Sequence, residues 1–188
     1  GNVYLTLAVP RSRLPLPRLA LFPLEAGVAL WDAVAGLLPP VQRARLHLKW
    51  PNDLLLDGRK AAGMLLEATA EHLFVGIGIN VCSAPHVTDG GTPSTRLAEA
   101  GLQEEHGLEI AKGFAACLGD RLPQAGGGHD SADVLAAWKQ RALWNHPVRL
   151  RDRAGRPEVL PLDINADGHL RVRHADGREE WLVSEYLA

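Results

Sequence analysis

The sequence around Asp57-Gly58 constrains the fold more than any other part of the chain. Apolar, strand-forming residues lie on both sides of this pair, and an Asp-Gly pair between two strands is typical of a tight β-hairpin turn. We interpret residues 46–56 as one strand, interrupted by a proline, and residues 60–67 as the returning strand. The hairpin therefore brings Asp53 and Lys60 into the same neighbourhood, on two adjoining strands.

Further strands and helices are predicted on either side of the hairpin. Residues 3–9 and 74–81 are apolar and β-branched, and glycines in the second segment indicate that backbone or ligand comes close there. Apolar residues at helical spacing predict helices over residues 22–38, 104–122 and 131–143. These elements predict an α+β fold, in which a mixed β-sheet carries helices on one side.

After Trp144 the sequence changes to short alternating strands separated by tight-turn signals at Asp167-Gly168 and Asp176-Gly177. Several short strands in so few residues predict a small β-barrel or sandwich. We therefore predict two domains, residues 1–143 and residues 144–188. The glycine-rich stretch just before the last predicted helix is interpreted as a flexible linker.

The composition excludes several functional classes. The net charge is −2, so the chain is not built mainly to coat nucleic acid or an acidic membrane, although residues 1–60 hold eight Lys/Arg against four Asp/Glu. We find no helix-turn-helix for DNA and no stretch near the roughly 18 apolar residues of a membrane span. Cys82 and Cys117 lack metal-ligand spacing, which predicts a protein of the reducing cytoplasm. The strand pattern at the first residues predicts that the chain begins inside a domain.

The hairpin carries the residues best suited to chemistry. Lys60 begins an otherwise apolar strand, where its ammonium can stabilise charge that develops on a phosphate. The Asp53 carboxylate can hold a magnesium ion or attract an incoming amine. Structural alternatives stay open for each: a surface lysine for Lys60, a turn partner for Asp53, a backbone cap for Asn52 and a core indole for Trp50.

Taken together, several spaced motifs resemble the catalytic domain of biotin protein ligases. The motifs are Lys49-Trp50-Pro51-Asn52-Asp53, then Lys60, Gly63 and Glu67, then Gly76, Gly78 and Asn80, with similar segments at residues 1–5 and 95–101. The first run is highly specific. The resemblance extends more loosely to the C-terminal strands, and it implies a core related to class II synthetases followed by a small SH3-like barrel.

The resemblance implies a reaction in two steps. The carboxylate of biotin attacks the α-phosphate of ATP, and a lysine on the biotin carboxyl carrier domain of a carboxylase then attacks the resulting biotinyl-adenylate. Lys60 would contact the biotin carboxylate and the α-phosphate, while Asp53 would hold Mg²⁺ or serve the attacking lysine. The remaining residues implied for binding biotin or ATP are Lys49, Trp50, Asn52, Gly63, Leu65, Gly76 and Asn80.

Two alternatives to this function stay open. One is an acyl ligase or transferase for lipoate or octanoate, and the other is a non-catalytic module that binds a carrier protein or regulates. The second is motivated by two upstream features of the family, a Ser/Thr-rich biotin motif and a Gly/Arg loop, that these 188 residues do not contain. We therefore expect these residues alone to retain an adenylate weakly. Homodimers occur in the family, so pairing through an exposed sheet edge is a further expectation.

Overall fold

The computed structural model describes residues 1–14, 16–86, 92–122, 130–150 and 157–183 of the 188-residue chain. Within these ranges the first β-sheet contains the strands β1 (Val3–Pro10), β2 (Leu46–Lys49), β3 (Asp53–Leu56), β4 (Arg59–Ala68) and β5 (His72–Ile79). Their order across the sheet is β1-β5-β4-β3-β2, and each neighbouring pair is antiparallel. The prediction of a mixed sheet was wrong, because β2 to β5 follow one another through short turns, which join antiparallel neighbours.

The region predicted as one interrupted strand is itself a hairpin. The strands β2 and β3 run antiparallel, with Lys49 opposite Asp53, and the chain turns through the three residues between them. Pro51 has no N–H to continue a ladder, which suits a turn; its peptide bond with Trp50 is cis. The predicted turn at Asp57-Gly58 is confirmed, since both residues adopt the positive φ angles, 51° and 73°, that such a turn requires.

Helices cover one side of the first sheet. Those found among the described residues are α1 (Leu16–Leu19), α2 (Phe22–Gly36), α3 (Pro40–Arg43), α4 (His106–Arg121) and α5 (Ser131–Arg141). The long apolar helix α2 is almost wholly buried, packing on α4 and α5 and lying against β2 and β3. The buried carboxylate of Glu25 in α2 is paired with Arg18 at 2.6 Å, which joins α1 to the core. Among the described residues, the opposite face of β1, β4 and β5 is not covered, and Tyr4 and Leu65 are exposed there.

The C-terminal region forms a second sheet. Its strands in chain order are β6 (Val148–Arg149), β7 (Glu158–Ile164), β8 (Leu170–His174) and β9 (Glu179–Leu182). All neighbouring pairs are antiparallel. Among the described residues the sheet is open, with β6 and β9 at opposite edges, so the structure does not confirm the predicted closed barrel. The predicted turns at Gly168 and Gly177 are confirmed, with φ angles of 80° and 85°.

The two sheets share one contiguous hydrophobic core. Buried apolar residues of β7, β8 and β9 belong to the same cluster as those of β2 to β5 and the helices. The predicted glycine-rich linker falls largely outside the described residues. No helix in the described ranges combines the length and the apolar character needed to cross a membrane.

Candidate functional site

The uncovered face of the first sheet carries a groove whose floor is largely backbone. Strand register aligns one row made of Asp53, Gly63, Gly78 and Tyr4, and a second row made of Leu65, Gly76 and Thr6. Three of these seven positions are glycine, so a ligand can approach the main chain closely. Tyr4 and Leu65 stand on the walls, exposed by 81% and 53%.

A β-bulge places Lys60 on this groove. Between β3 and β4 the register shifts, so that Leu54 faces Ala62 while Leu55 faces Lys60, leaving Ala61 as an extra residue. Strand side chains alternate between faces, so a regular strand would turn Lys60 and Gly63, which are three residues apart, to opposite sides. The extra residue places Lys60 on the same face as Gly63. β-Bulges often change the direction of a side chain in this way next to active sites.

Lys60 bends across Gly63 to reach Asp53. Its Nζ lies 2.6 Å from Oδ1 of Asp53, so the proximity predicted from the hairpin is confirmed. A Cβ at position 63 would lie only 2.7 Å from both Cε and Nζ of Lys60, so glycine there makes room for the lysine. The carboxylate is only 13% exposed and the lysine 38%, so the ammonium, not the carboxylate, faces the groove.

The backbone of Lys60 is hydrogen-bonded, on the side away from β3, to the segment of residues 93–95. Its N–H donates to the carbonyl of Pro93 at 2.7 Å, and its own carbonyl accepts from the N–H of Thr95 at 2.9 Å. The side-chain amide of Asn80 donates to the carbonyl of Thr95 at 3.0 Å and to that of Lys60 at 3.4 Å. The buried hydroxyl of Thr95 accepts from Arg59 at 2.8 Å. The bulge and its lysine are therefore held by a second segment of chain.

The other predicted site residues surround this pair but contact different partners. The amide of Asn52 donates to the carbonyl of Met64, and the N–H of Met64 donates back to Asn52, so Asn52 ties the β2–β3 turn to β4. The Nζ of Lys49 donates to the hydroxyl of Thr92 at 2.5 Å. The indole of Trp50 points away from the groove and donates to the carbonyl of Gly168 in the second sheet.

A cavity of about 410 Å³ lies where the second sheet meets β2 and β3. Leu55, which shares the face of Asp53, lies on its wall together with Lys49, Trp50 and Thr92. Its walls include both apolar side chains and the cationic groups of Lys49 and Arg149. The cavity and the groove are linked by the register of β3 and β4, which places Leu55 of the cavity opposite Lys60 of the groove.

Charged contacts anchor the two borders of the site. The Arg45 guanidinium beside Asp57 lowers the pKa of that carboxyl through a hydrogen bond, which holds the turn that precedes Lys60. At the junction of the sheets, Lys139 of α5 lies 2.8 Å from Asp163 of β7, and its hydrogen bond lowers the pKa of Asp163. No group of three or more His, Cys, Asp or Glu residues within the described ranges could hold a metal by itself.

Sequence reasoning missed several residues that build the site. Thr95 was recognised only as the start of the family-like segment 95–101, with no role assigned to it. The bulged Ala61 carries no chemical signal, and Thr92 lies in a loop whose position only the folded chain defines. Tyr4 could have been found, because a strand at residues 3–9 that paired with the glycine strand would place it over Gly78.

Comparison with known proteins identifies the class of this fold and site. The model of the biotin/lipoate A/B protein ligase family matches residues 1–81. A biotin--[acetyl-CoA-carboxylase] ligase from Paracoccus denitrificans is 45% identical over 166 residues, which cover 82% of this chain and 67% of that enzyme. The enzyme of the same description from Mycobacterium tuberculosis is 36% identical over 172 residues, covering 90% and 63%. The chain thus spans about two thirds of the length of these relatives.

Solved structures agree with the sequence comparison. A biotin protein ligase from Leishmania major in complex with biotin is 28% identical, with a TM-score of 0.70, and the match covers 98% of this chain and 79% of that one. The structure of that protein with biotinyl-5-AMP is 27% identical, with a TM-score of 0.68 and the same coverage. The α+β fold with antiparallel sheets is therefore confirmed, and the chain belongs to the biotin protein ligase family.

Proposed function

We propose that the protein activates biotin with ATP to biotinyl-5′-AMP and transfers the biotinyl group to a lysine of a biotin carboxyl carrier domain. The observation that carries this proposal is the Lys60 ammonium, held by Asp53 above Gly63 at the end of a groove with a glycine floor. A ligand carboxylate lying in the groove would meet the positive charge of Lys60, which lines it.

In the first step a carboxylate oxygen of biotin forms a bond to the α-phosphorus of ATP, and the bond from that phosphorus to pyrophosphate breaks. Negative charge grows on the phosphate oxygens in the transition state, and a fixed ammonium lowers the barrier by stabilising that charge. Lys60 is fixed at both its backbone and its ammonium. It therefore needs little reorganisation as the charge develops.

In the second step the amine of the carrier lysine attacks the acyl carbon, and the bond to the AMP oxygen breaks. The Asp53 carboxylate attracts the carrier lysine as its ammonium and can accept the proton that this group must lose before the neutral amine attacks. Neutral groove walls formed by Tyr4, Leu65 and the backbone of Gly76 and Gly78 suit the largely apolar body of biotin. Asn52 and Asn80 remain our predicted contacts to the nucleotide, and Lys49 remains a predicted contact to biotin or ATP.

A magnesium ion fits this site as a companion of the nucleotide. Mg²⁺ is commonly held by one or two carboxylates together with substrate phosphates and water, and Asp53 supplies one carboxylate beside the place proposed for the phosphates. When bound, the ion would neutralise phosphate charge. The described residues offer no cluster for an ion that binds without nucleotide.

The proposal is tested by measuring pyrophosphate release from ATP in the presence of biotin. We expect Lys60→Ala to abolish release while the melting temperature changes little, because the side chain is 38% exposed and lies at the groove. Lys112→Ala, which removes an exposed lysine of α4, is the matched control and should behave as the unsubstituted protein. Release that survives in Lys60→Ala would refute the assigned role.

Calorimetric titration with biotin and with lipoate separates the proposed activity from the alternatives. Biotin binding that ATP and magnesium strengthen supports the proposal. Preferential lipoate binding would instead assign a lipoate-type acyl ligase. Binding of a carrier domain without any ATP binding would assign a non-catalytic module.

We further infer the domain division, the oligomeric state and the cellular location from membership of the family. The segments 1–143 and 144–188 are proposed as a catalytic and an SH3-like unit, respectively. A homodimer formed through the edge of the first sheet is proposed as the assembly, to be tested by sedimentation. The cytoplasm is proposed as the location, in line with the free thiols Cys82 and Cys117.

A further inference from the structure

The indole of Trp50 links the catalytic hairpin to the second sheet. Its Nε1 donates to the carbonyl of Gly168 at 2.9 Å, across 118 positions of sequence. Trp50 lies in the β2–β3 turn, immediately before the segment that carries Asp53. The hydrogen bond therefore joins the turn that presents the catalytic carboxylate to the β7–β8 turn of the other sheet.

The acceptor of this bond is itself fixed. Gly168 has a φ angle of 80°, which side chains rarely adopt, and a Cβ there would lie 3.1 Å from the carbonyl oxygen of Ala20 and 3.3 Å from Leu21. The Oδ1 of Asn165 accepts from the N–H groups of Asp167 and His169, which tightens the same turn. The Gly168 carbonyl is thus held at a defined place between the start of α2 and the Trp50 indole.

The other end of the β2–β3 turn is held by β4. Asn52 and Met64 exchange two hydrogen bonds, and Asp53 then begins β3 opposite Gly63. A turn fastened on one side by the second sheet and on the other by β4 has little freedom to move. Asp53 inherits that position, and its Oδ1 sets where the Lys60 ammonium lies above Gly63.

We propose that Trp50 is a positioning residue for the Asp53–Lys60 pair, acting through the carbonyl of Gly168, so that the catalytic rate depends on how the second sheet is docked. The inference rests on the proposed function. Ligand binding in the groove does not depend on this link, because the groove is built by β1, β4 and β5. Loss of the link should therefore lower the rate of chemistry much more than biotin affinity, because, among the described residues that line the groove, Lys60 is the one whose position it sets.

The test compares Trp50→Phe with Trp31→Phe. Both replacements keep an aromatic ring and remove one indole donor to a backbone carbonyl, at 2.9 Å for Trp50 and 3.1 Å for Trp31, whose acceptor is Leu46. In single-turnover adenylation at saturating ligands, we expect Trp50→Phe to be slower by roughly tenfold or more, the scale for sub-ångström misplacement of reacting groups. The biotin Kd of Trp50→Phe should change by a much smaller factor than its rate, and Trp31→Phe should keep both its biotin Kd and its rate.

A second pair of variants approaches the same bond from the other sheet. Gly168→Ala and Gly177→Ala carry the same left-handed strain, with φ angles of 80° and 85°, but the added Cβ meets nothing within 4 Å at position 177. Gly168→Ala should reproduce the slow adenylation of Trp50→Phe, while Gly177→Ala should not. Equal rates in both pairs, at equal melting temperatures, would overturn the proposal.

Amide NMR signals separate failure of this inference from failure of the proposed function. If the unsubstituted chain releases no pyrophosphate, the proposed function fails, and the amide resonances alone then test whether Trp50 positions the Asp53–Lys60 pair. Trp50→Phe should then shift the amide resonances of Asp53, Lys60 and Gly63, whereas Trp31→Phe should leave them in place. Unshifted resonances would show that the indole is only a contact between sheets.

Discussion

Gly63→Ala isolates the geometry of the reactive lysine from the stability of the fold. The added Cβ would lie 2.7 Å from Cε and Nζ of Lys60 and 3.3 Å from Oδ1 of Asp53. Non-bonded carbons settle at about 3.5–4.0 Å, so the lysine tip has to move by roughly 1 Å. Displacement of a reacting group by about 1 Å costs on the order of 100-fold in rate, or about 2.7 kcal/mol of barrier.

The fold should tolerate the same substitution. The backbone at Gly63 is not in the left-handed region, and the group that must give way is the end of a flexible side chain. Restricting the unfolded chain by a Gly-to-Ala change contributes about 0.4–1 kcal/mol where the conformation is compatible, so the melting temperature should hold or rise.

The assay is the initial rate of pyrophosphate release at saturating biotin and ATP, measured alongside thermal unfolding. Gly119→Ala is the control, because a Cβ at that position of α4 meets nothing within 4 Å. We expect full activity in the control and a loss near 100-fold in Gly63→Ala, on the scale of a reacting group misplaced by about 1 Å. An active Gly63→Ala protein would show that Lys60 does not work from its place above the glycine.

Gly76→Ala should keep the fold, since the added Cβ makes contacts of 3.7 Å and longer. It should lower biotin affinity by roughly tenfold in calorimetry, because the methyl group fills the groove floor. An unchanged affinity would show that biotin binds elsewhere. Glu25→Ala leaves Arg18 without its buried partner and should cost about 3–5 kcal/mol in urea unfolding. A loss near 0.5 kcal/mol, the scale of surface changes, would contradict the importance of that pair. Lys139 lowers the pKa of Asp163 in the folded state. The ionised carboxylate therefore stabilises the folded protein above its unfolded pKa of about 3.9, and this stabilisation is lost as the pH falls through the lower folded pKa. Asp163→Asn should accordingly be slightly less stable than the unsubstituted protein at pH 7 and equal to it in acid, and a gap that persists in acid would point to another cause.

Local signals in the sequence predicted much of the first sheet. The Asp57-Gly58 turn, the long helix after residue 22 and the approach of Asp53 to Lys60 depend on neighbours in sequence, which turn chemistry and periodicity capture well. The family motif then supplied the function, which composition and periodicity could not.

Contacts between distant segments were beyond the sequence. Trp50 was assigned to the pocket or the core, whereas its donor is satisfied 118 positions away, in a turn whose place depends on how two sheets dock. Asn52 and Asn80 stay predicted nucleotide contacts, but the sequence did not show that the Asn52 amide donates to the carbonyl of Met64 and the Asn80 amide to that of Thr95. The sequence did not predict the antiparallel β2–β3 hairpin, because apolar residues flank the Trp-Pro-Asn turn on both sides and read as one strand.

The number of residues between Lys60 and Gly63 determines which face of β4 carries the lysine. With three residues from one to the other, the two share a face only because Ala61 is an extra, bulged residue. Deleting Ala61 would shorten the spacing from Lys60 to Gly63 to two residues, which keeps both on one face of a regular strand. A regular ladder formed with Ala61 retained would instead turn the lysine toward the side where helices fill the space. A homologous hairpin with three residues from the lysine to the glycine therefore needs the bulge to keep the lysine on the groove, whereas one with a two-residue spacing does not. Spacing, more than identity, is the property to compare when this hairpin is traced through distant relatives or grafted onto another scaffold.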